Sequence, residues 1–131
     1  MNVATLQTIL MVEAVAYAIA SLIHGGHVIP GYAHRNAYIA EGVLAVALFG
    51  GVVITVVAPE RAQRSGLLAQ GFALLGTLVG LFTTAVGVGP RTGPDVVFHI
   101  AMVILLIAGL RYTQRAPALP PTSASSSSRP D

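Results

Sequence analysis

The sequence predicts an all-α integral membrane protein: a four-helix up-down bundle made of four transmembrane helices. Three observations carry that expectation. Of 131 residues, 54% are hydrophobic and only 9% charged, where an ordinary soluble domain carries about 25% charged residues. The apolar residues fall into four runs, each close to the roughly 20 residues that cross a hydrocarbon core about 30 Å thick. Proline and arginine gather between the runs rather than inside them.

Composition also removes several function classes. The chain has no cysteine, so disulfides, thiolate metal sites and thiol catalysis are excluded. It has no lysine, which excludes Schiff-base chemistry. The formal charge of +2 comes from arginines at the ends of apolar runs, a pattern of topology signals rather than a nucleic-acid surface. No serine nucleophile elbow, zinc-protease motif or Gly-rich phosphate loop is present. An enzyme is therefore the less favoured expectation.

The first span covers about residues 3–23. No Arg or Lys precedes it and Glu13 interrupts it, which argues against a cleavable secretory signal. At about 100° per residue, Glu13, Tyr17 and His24 share one stripe with Ser21 beside it, and that stripe should face protein. Alanines at 14, 16, 18 and 20 give small-xxx-small spacings for close helix packing. Gly25-Gly26 and Pro30-Gly31 then break the helix, so residues 24–35 form a connection longer than a tight hairpin needs. Asn36 is the expected N-cap of the second span, about 37–58, whose polar outlier is Glu41.

Pro59, Glu60, Arg61 and Arg64 mark a short charged turn, with Pro59 able to open the next helix. The third span, about 66–88, carries Gly71, Gly76 and Gly80 with Thr77, Thr83 and Thr84, a small-residue face, and Gln70 as its single amide. Thr92-Gly-Pro-Asp95 has capping-box spacing and starts the fourth span, about 95–112. His99 follows Asp95 by one turn. Residues 1–115 thus form one transmembrane domain, and the Pro/Ser-rich segment 116–131 is expected to be a disordered tail.

Arg61, Arg64, Arg111 and Arg115 lie on one side of the span pattern and Arg35 and Arg91 on the other. The positive-inside rule then puts both termini in the cytoplasm, in the plasma membrane of a bacterium by expectation. A weak internal symmetry, Glu13 with Gln70, Glu41 with His99 and Pro30 with Pro90 at offsets of 57, 58 and 60, suggests two repeated helical hairpins.

Ionisable groups at membrane depth cost on the order of 3 kcal/mol on insertion scales, so they usually face a bundle interior and have a use there. Glu13, Tyr17, Glu41 and His99 are the candidate ligand- or proton-binding residues. His24, His27, Glu41 and His99 are the candidate metal ligands, because imidazole suits transition metals and facing helices of a bundle hold haem or metal ions. His24 and His27 can equally be interfacial rings bonded to water and loop carbonyls. The leading reading is a small membrane protein with an outer-side His/Glu pocket for a metal ion, haem or a small polar ligand. The alternatives are an accessory subunit of a larger membrane complex and an oligomeric proton- or cation-coupled transporter using Glu13. The expected partners are the lipid bilayer and either further copies of the chain or a larger membrane complex, with no nucleic acid.

Overall fold

The computed structural model describes residues 2–115, and the expected tail at 116–131 lies outside the described residues. Four helices follow one another: α1 (Val3–His24), α2 (Arg35–Val57), α3 (Ala62–Ala85) and α4 (Gly93–Gln114), with a single 3-10 turn at Pro59–Arg61 before α3. Among the described residues there is no strand. All four helices are long and apolar enough to cross a membrane, and the chain has the make-up of a membrane protein. Each helix packs on its neighbours in sequence, and α1 also meets α4 over a smaller area.

The helix ends follow local chemistry. Asn2 caps α1 through its side chain, which accepts the Ala4 N–H at 2.9 Å. α1 ends as the His27 N–H reaches Leu22 O (3.1 Å) and the Gly26 N–H reaches Ile23 O (2.9 Å), with Gly26 at φ 74°. That double closure needs a left-handed residue, which glycine adopts without a Cβ clash. α3 ends in the same way at Gly87 (φ 86°) with Val88 N–H to Thr83 O at 2.9 Å.

The N-cap of α2 is His34, not Asn36: its Nδ1 accepts the Ala37 N–H at 3.3 Å, which leaves Asn36 inside the first turn. α3 begins four residues before the expected position because the turn at Pro59 leads straight into helix. α4 carries the full capping box, Thr92 and Asp95 each accepting from the other's backbone.

The helices are apolar nearly all round, so the inward stripe is distinguished by small and polar residues instead of by hydrophobicity. Leu6, Leu10, Leu48 and Leu106 form the apolar core with Tyr17 and Ala73, while Glu13, Gln70, Thr55, Thr77 and Thr113 are equally buried. Large side chains such as Val46, Val57, Leu68, Phe82 and Val97 point outward. Glycines admit close approach: a Cβ on Gly51 would lie 2.9 Å from the Ala69 Cβ, and one on Gly109 would lie 2.6 Å from Glu13 Oε1 and 3.1 Å from the Ile9 side chain.

Candidate functional site

Buried polar groups occur at three levels along the bundle. In the first, Glu13 on α1 is 0% exposed. The Gln70 Nε2 from α3 donates to both of its oxygens at 3.1 Å. The single Thr113 hydroxyl proton of α4 is shared between Gln70 Oε1 at 3.0 Å and the Gly109 carbonyl at 2.9 Å. Gly109 leaves the room in which this set meets. Every carboxylate and amide oxygen here has a partner, the condition under which buried polar groups cease to be a large penalty. In the second level the Tyr17 hydroxyl bonds the Thr77 hydroxyl, and the Tyr17 ring meets Phe98 edge-on at 5.8 Å.

The third level sits where α1 ends and α4 begins. His24, in the last turn of α1 and 4% exposed, lies between two carboxylates. Its Nδ1 is 2.7 Å from Glu41 Oε2 on α2, and its Nε2 is 3.2 Å from Asp95 Oδ1 on α4. Both contacts are hydrogen bonds only when one proton more is present than a neutral ring between two ionised carboxylates would hold. The cluster therefore carries His24 as an imidazolium, or one carboxyl in its acid form.

Tyr32, from the α1–α2 loop, stacks on the His24 ring at 5.6 Å and donates its hydroxyl to Asp95 at 3.0 Å. Desolvation, with the adjacent Asp95 carboxylate adding to it, pushes the Tyr32 phenol above its ordinary value, so it remains a donor. The other Asp95 oxygen accepts the Thr92 N–H at 3.0 Å.

His99, one turn below Asp95, is fixed by the Asp95 backbone carbonyl, 2.8 Å from its Nδ1. A carbonyl only accepts, so Nδ1 carries the hydrogen and the neutral ring keeps a lone pair on Nε2. That nitrogen lies against Gly80, where a Cβ would come within 2.8 Å of it. His99 and Glu41 line one cavity of about 230 Å³ between α2 and α3, with Tyr17, Ala40, Gly76 and Thr84 among its other walls. Among the described residues two acceptors beside it lack partners: Glu41 Oε1 and Thr84 Oγ1, both buried. A second cavity of about 240 Å³ lies between α1 and α4, lined by Ala16, Ala20, His24, Asp95 and Phe98 among others.

The candidate residues from the sequence therefore separate. Tyr17, Glu41 and His99 meet around one cavity, and His24 joins them through Glu41. Glu13 stands apart in its own network. His27 is exposed and lies against Tyr38 at 6.0 Å between ring centres.

The metal expectation at His24, His27, Glu41 and His99 meets a physical obstacle. His24 has a carboxylate on each ring nitrogen, and His27 is exposed and stands apart against Tyr38. Among the described residues no group of three or more such side chains is arranged to hold a metal ion. Haem fits poorly for another reason: the cavity at His99, about 230 Å³, is small for a macrocycle.

Three participants escaped sequence reasoning. Tyr32 lies in a loop with no helix face to place it on, Thr84 reads as one more packing threonine, and Asp95, expected from its spacing to cap α4 or to orient His99, also meets His24 because the end of α1 approaches it, which spacing does not encode. No protein-family model, curated protein or solved structure matches this chain.

Proposed function

We propose that this protein binds a small polar ligand in the cavity between α2 and α3, and that it is a binding protein of the membrane rather than an enzyme. One observation carries the reading: Glu41, 5% exposed, lines that cavity with Oε1 unpartnered. A buried carboxylate oxygen without a donor costs about 1–3 kcal/mol or more, a cost that a donating ligand would offset. The volume lies below the usual drug-sized range of about 300–1,000 Å³, so the ligand is small. Glu13, by contrast, has all its acceptors occupied, which weighs against a transport path through it.

The orientation proposed is the one from the arginine distribution, with both termini cytoplasmic and the His24 end of the bundle facing outward in a bacterial plasma membrane. A reporter fused after Arg115 that signalled the outer side would reverse it.

We further infer that the bundle consists of two repeated hairpins. The contacts of Tyr17 with Thr77 and of Tyr32 with Thr92 join residues 60 apart. Gly51 faces Ala69 and Leu10, and Gly109, 58 positions later, faces Ile9 and Gln70, which are the counterparts at 60. In this register Gln70 corresponds to Leu10, so Glu13 and Gln70 touch rather than correspond at an offset of 57. The two cavities become counterparts: Ala40, Gly76, Gly80 and Thr84 of one stand where Phe98, Ala16, Ala20 and His24 stand in the other.

The test narrows the cavity at Ala40, an exposed residue on its wall: Ala40→Phe replaces a methyl group with a ring there, so the variant should fold with less open volume. Small polar fragments screened by saturation-transfer NMR should bind the wild type and lose binding in Ala40→Phe. Equal binding by both would overturn the site. No binding by either, with co-purification of a larger complex, would favour an accessory subunit.

A further inference from the structure

We propose that the ligand is a small primary ammonium, held by Glu41 Oε1 and His99 Nε2 in competition with a proton. The inference rests on the cavity reading above and adds the chemical class and its regulation. It begins from what the walls offer. Glu41 Oε1 and Thr84 Oγ1 are unpartnered, and His99 Nε2 keeps a lone pair because Nδ1 is committed to Asp95 O. All three can accept, and an ammonium has three N–H donors to give. A quaternary ammonium would leave those acceptors unmet. Tyr17 is the aromatic wall, and its hydroxyl is already joined to Thr77, so no aromatic cage surrounds the space.

Charge selects a cation over a neutral donor. Glu41 and Asp95 contribute two negative charges, and the one extra proton on the His24 contacts offsets one of them, leaving a net single negative charge on a buried cluster. From α1 the cluster is faced by His24 and Tyr17, from α4 by Asp95 and His99, and from the loop and α2 cap by Tyr32 and His34. α3 contributes only Thr77, Thr83 and Thr84 to the cavity's polar wall. The nearby Arg91 guanidinium is turned to Ala85 O at 3.3 Å. A monocation would bring the cluster to neutrality, and so would a second proton. Ligand and proton therefore exclude one another, and acidification should release the ligand.

The probe is propylammonium, with 1-propanol as the neutral comparison of the same shape. Binding to the full chain in detergent is followed through the methyl resonances of Ala37, Ala40 and Thr84. Propylammonium should bind at least about tenfold more tightly than 1-propanol. Its affinity should fall at least about tenfold from about pH 8 to about pH 5, while that of 1-propanol stays level. Glu41→Gln should remove the preference for the cation. Should that variant fail to fold, the wild-type pH series makes the same discrimination. Equal binding of the two probes, abolished in Ala40→Phe, would overturn the ammonium assignment and leave the cavity reading standing. Binding of neither probe would overturn the ammonium assignment, and the fragment screen would then decide the cavity reading by itself.

Discussion

Glu13 and Glu41 are both carboxylates buried in the same bundle, and their surroundings differ in one respect that decides their roles. Around Glu13, Gln70 and Thr113 complete a closed set in which each oxygen is met. Around Glu41, His24 meets one oxygen and the other is left open beside a cavity. Burial of a charge in a membrane-sized helix is therefore weak evidence of a site. An unmet acceptor next to an open volume is stronger evidence, because only there does a ligand gain something the protein has not already supplied.

The largest test of this contrast acts on the closed set. Gly109→Ala would place a methyl group 2.6 Å from Glu13 Oε1, combining overpacking with broken hydrogen bonds. The sum is about 3 kcal/mol or more, read as a loss of folding free energy in mixed-micelle unfolding. Gly71→Ala, where nothing lies within 4 Å of the new methyl, should change stability by less than about 1 kcal/mol. A similar cost for both would mean that the Glu13 set is slack.

The next largest acts on the open set. His24→Leu leaves Glu41 and Asp95 without the ring between them, at a cost of about 3 kcal/mol at neutral pH. The sign of its pH dependence follows from the charges. As pH falls the two carboxylates take up protons and the repulsion disappears, so the penalty should shrink in acid. A penalty constant with pH would show that the ring acts by packing alone. A smaller effect is expected for Glu13→Gln, which keeps one acceptor for Gln70 and loses the other, at a cost of about 1–2 kcal/mol. Failure of this variant to assemble, with Glu13→Ala assembling, would contradict the hydrogen-bonding account.

How far the sequence could be read depended on the range of the physics involved. Helix existence follows from runs of apolar residues, and the capping box at Thr92 and the ends at Gly26 and Gly87 from local turn chemistry. The inward placement of Glu13, Tyr17, Glu41 and His99 follows from the cost of exposing them to lipid. Which of them meet is a matter of relative helix rotation and depth, set by contacts such as Gly76 against Leu44 and Gly109 against Gln70 that no single helix encodes. The α2 cap differs from the expectation for a related reason, since Asn36 is the better capping residue by type while His34 is the one whose ring reaches Ala37.

Asp95 closes the first turn of α4 with one oxygen and holds His24 with the other. A single rigid carboxylate thus belongs to two cooperative units, and the free energy of fraying that turn contains the free energy of dismantling the cluster. Amide exchange at Asp95 and Val96 should consequently slow when the cavity is filled, so the backbone of a helix terminus becomes a gauge of occupancy that needs no labelled ligand.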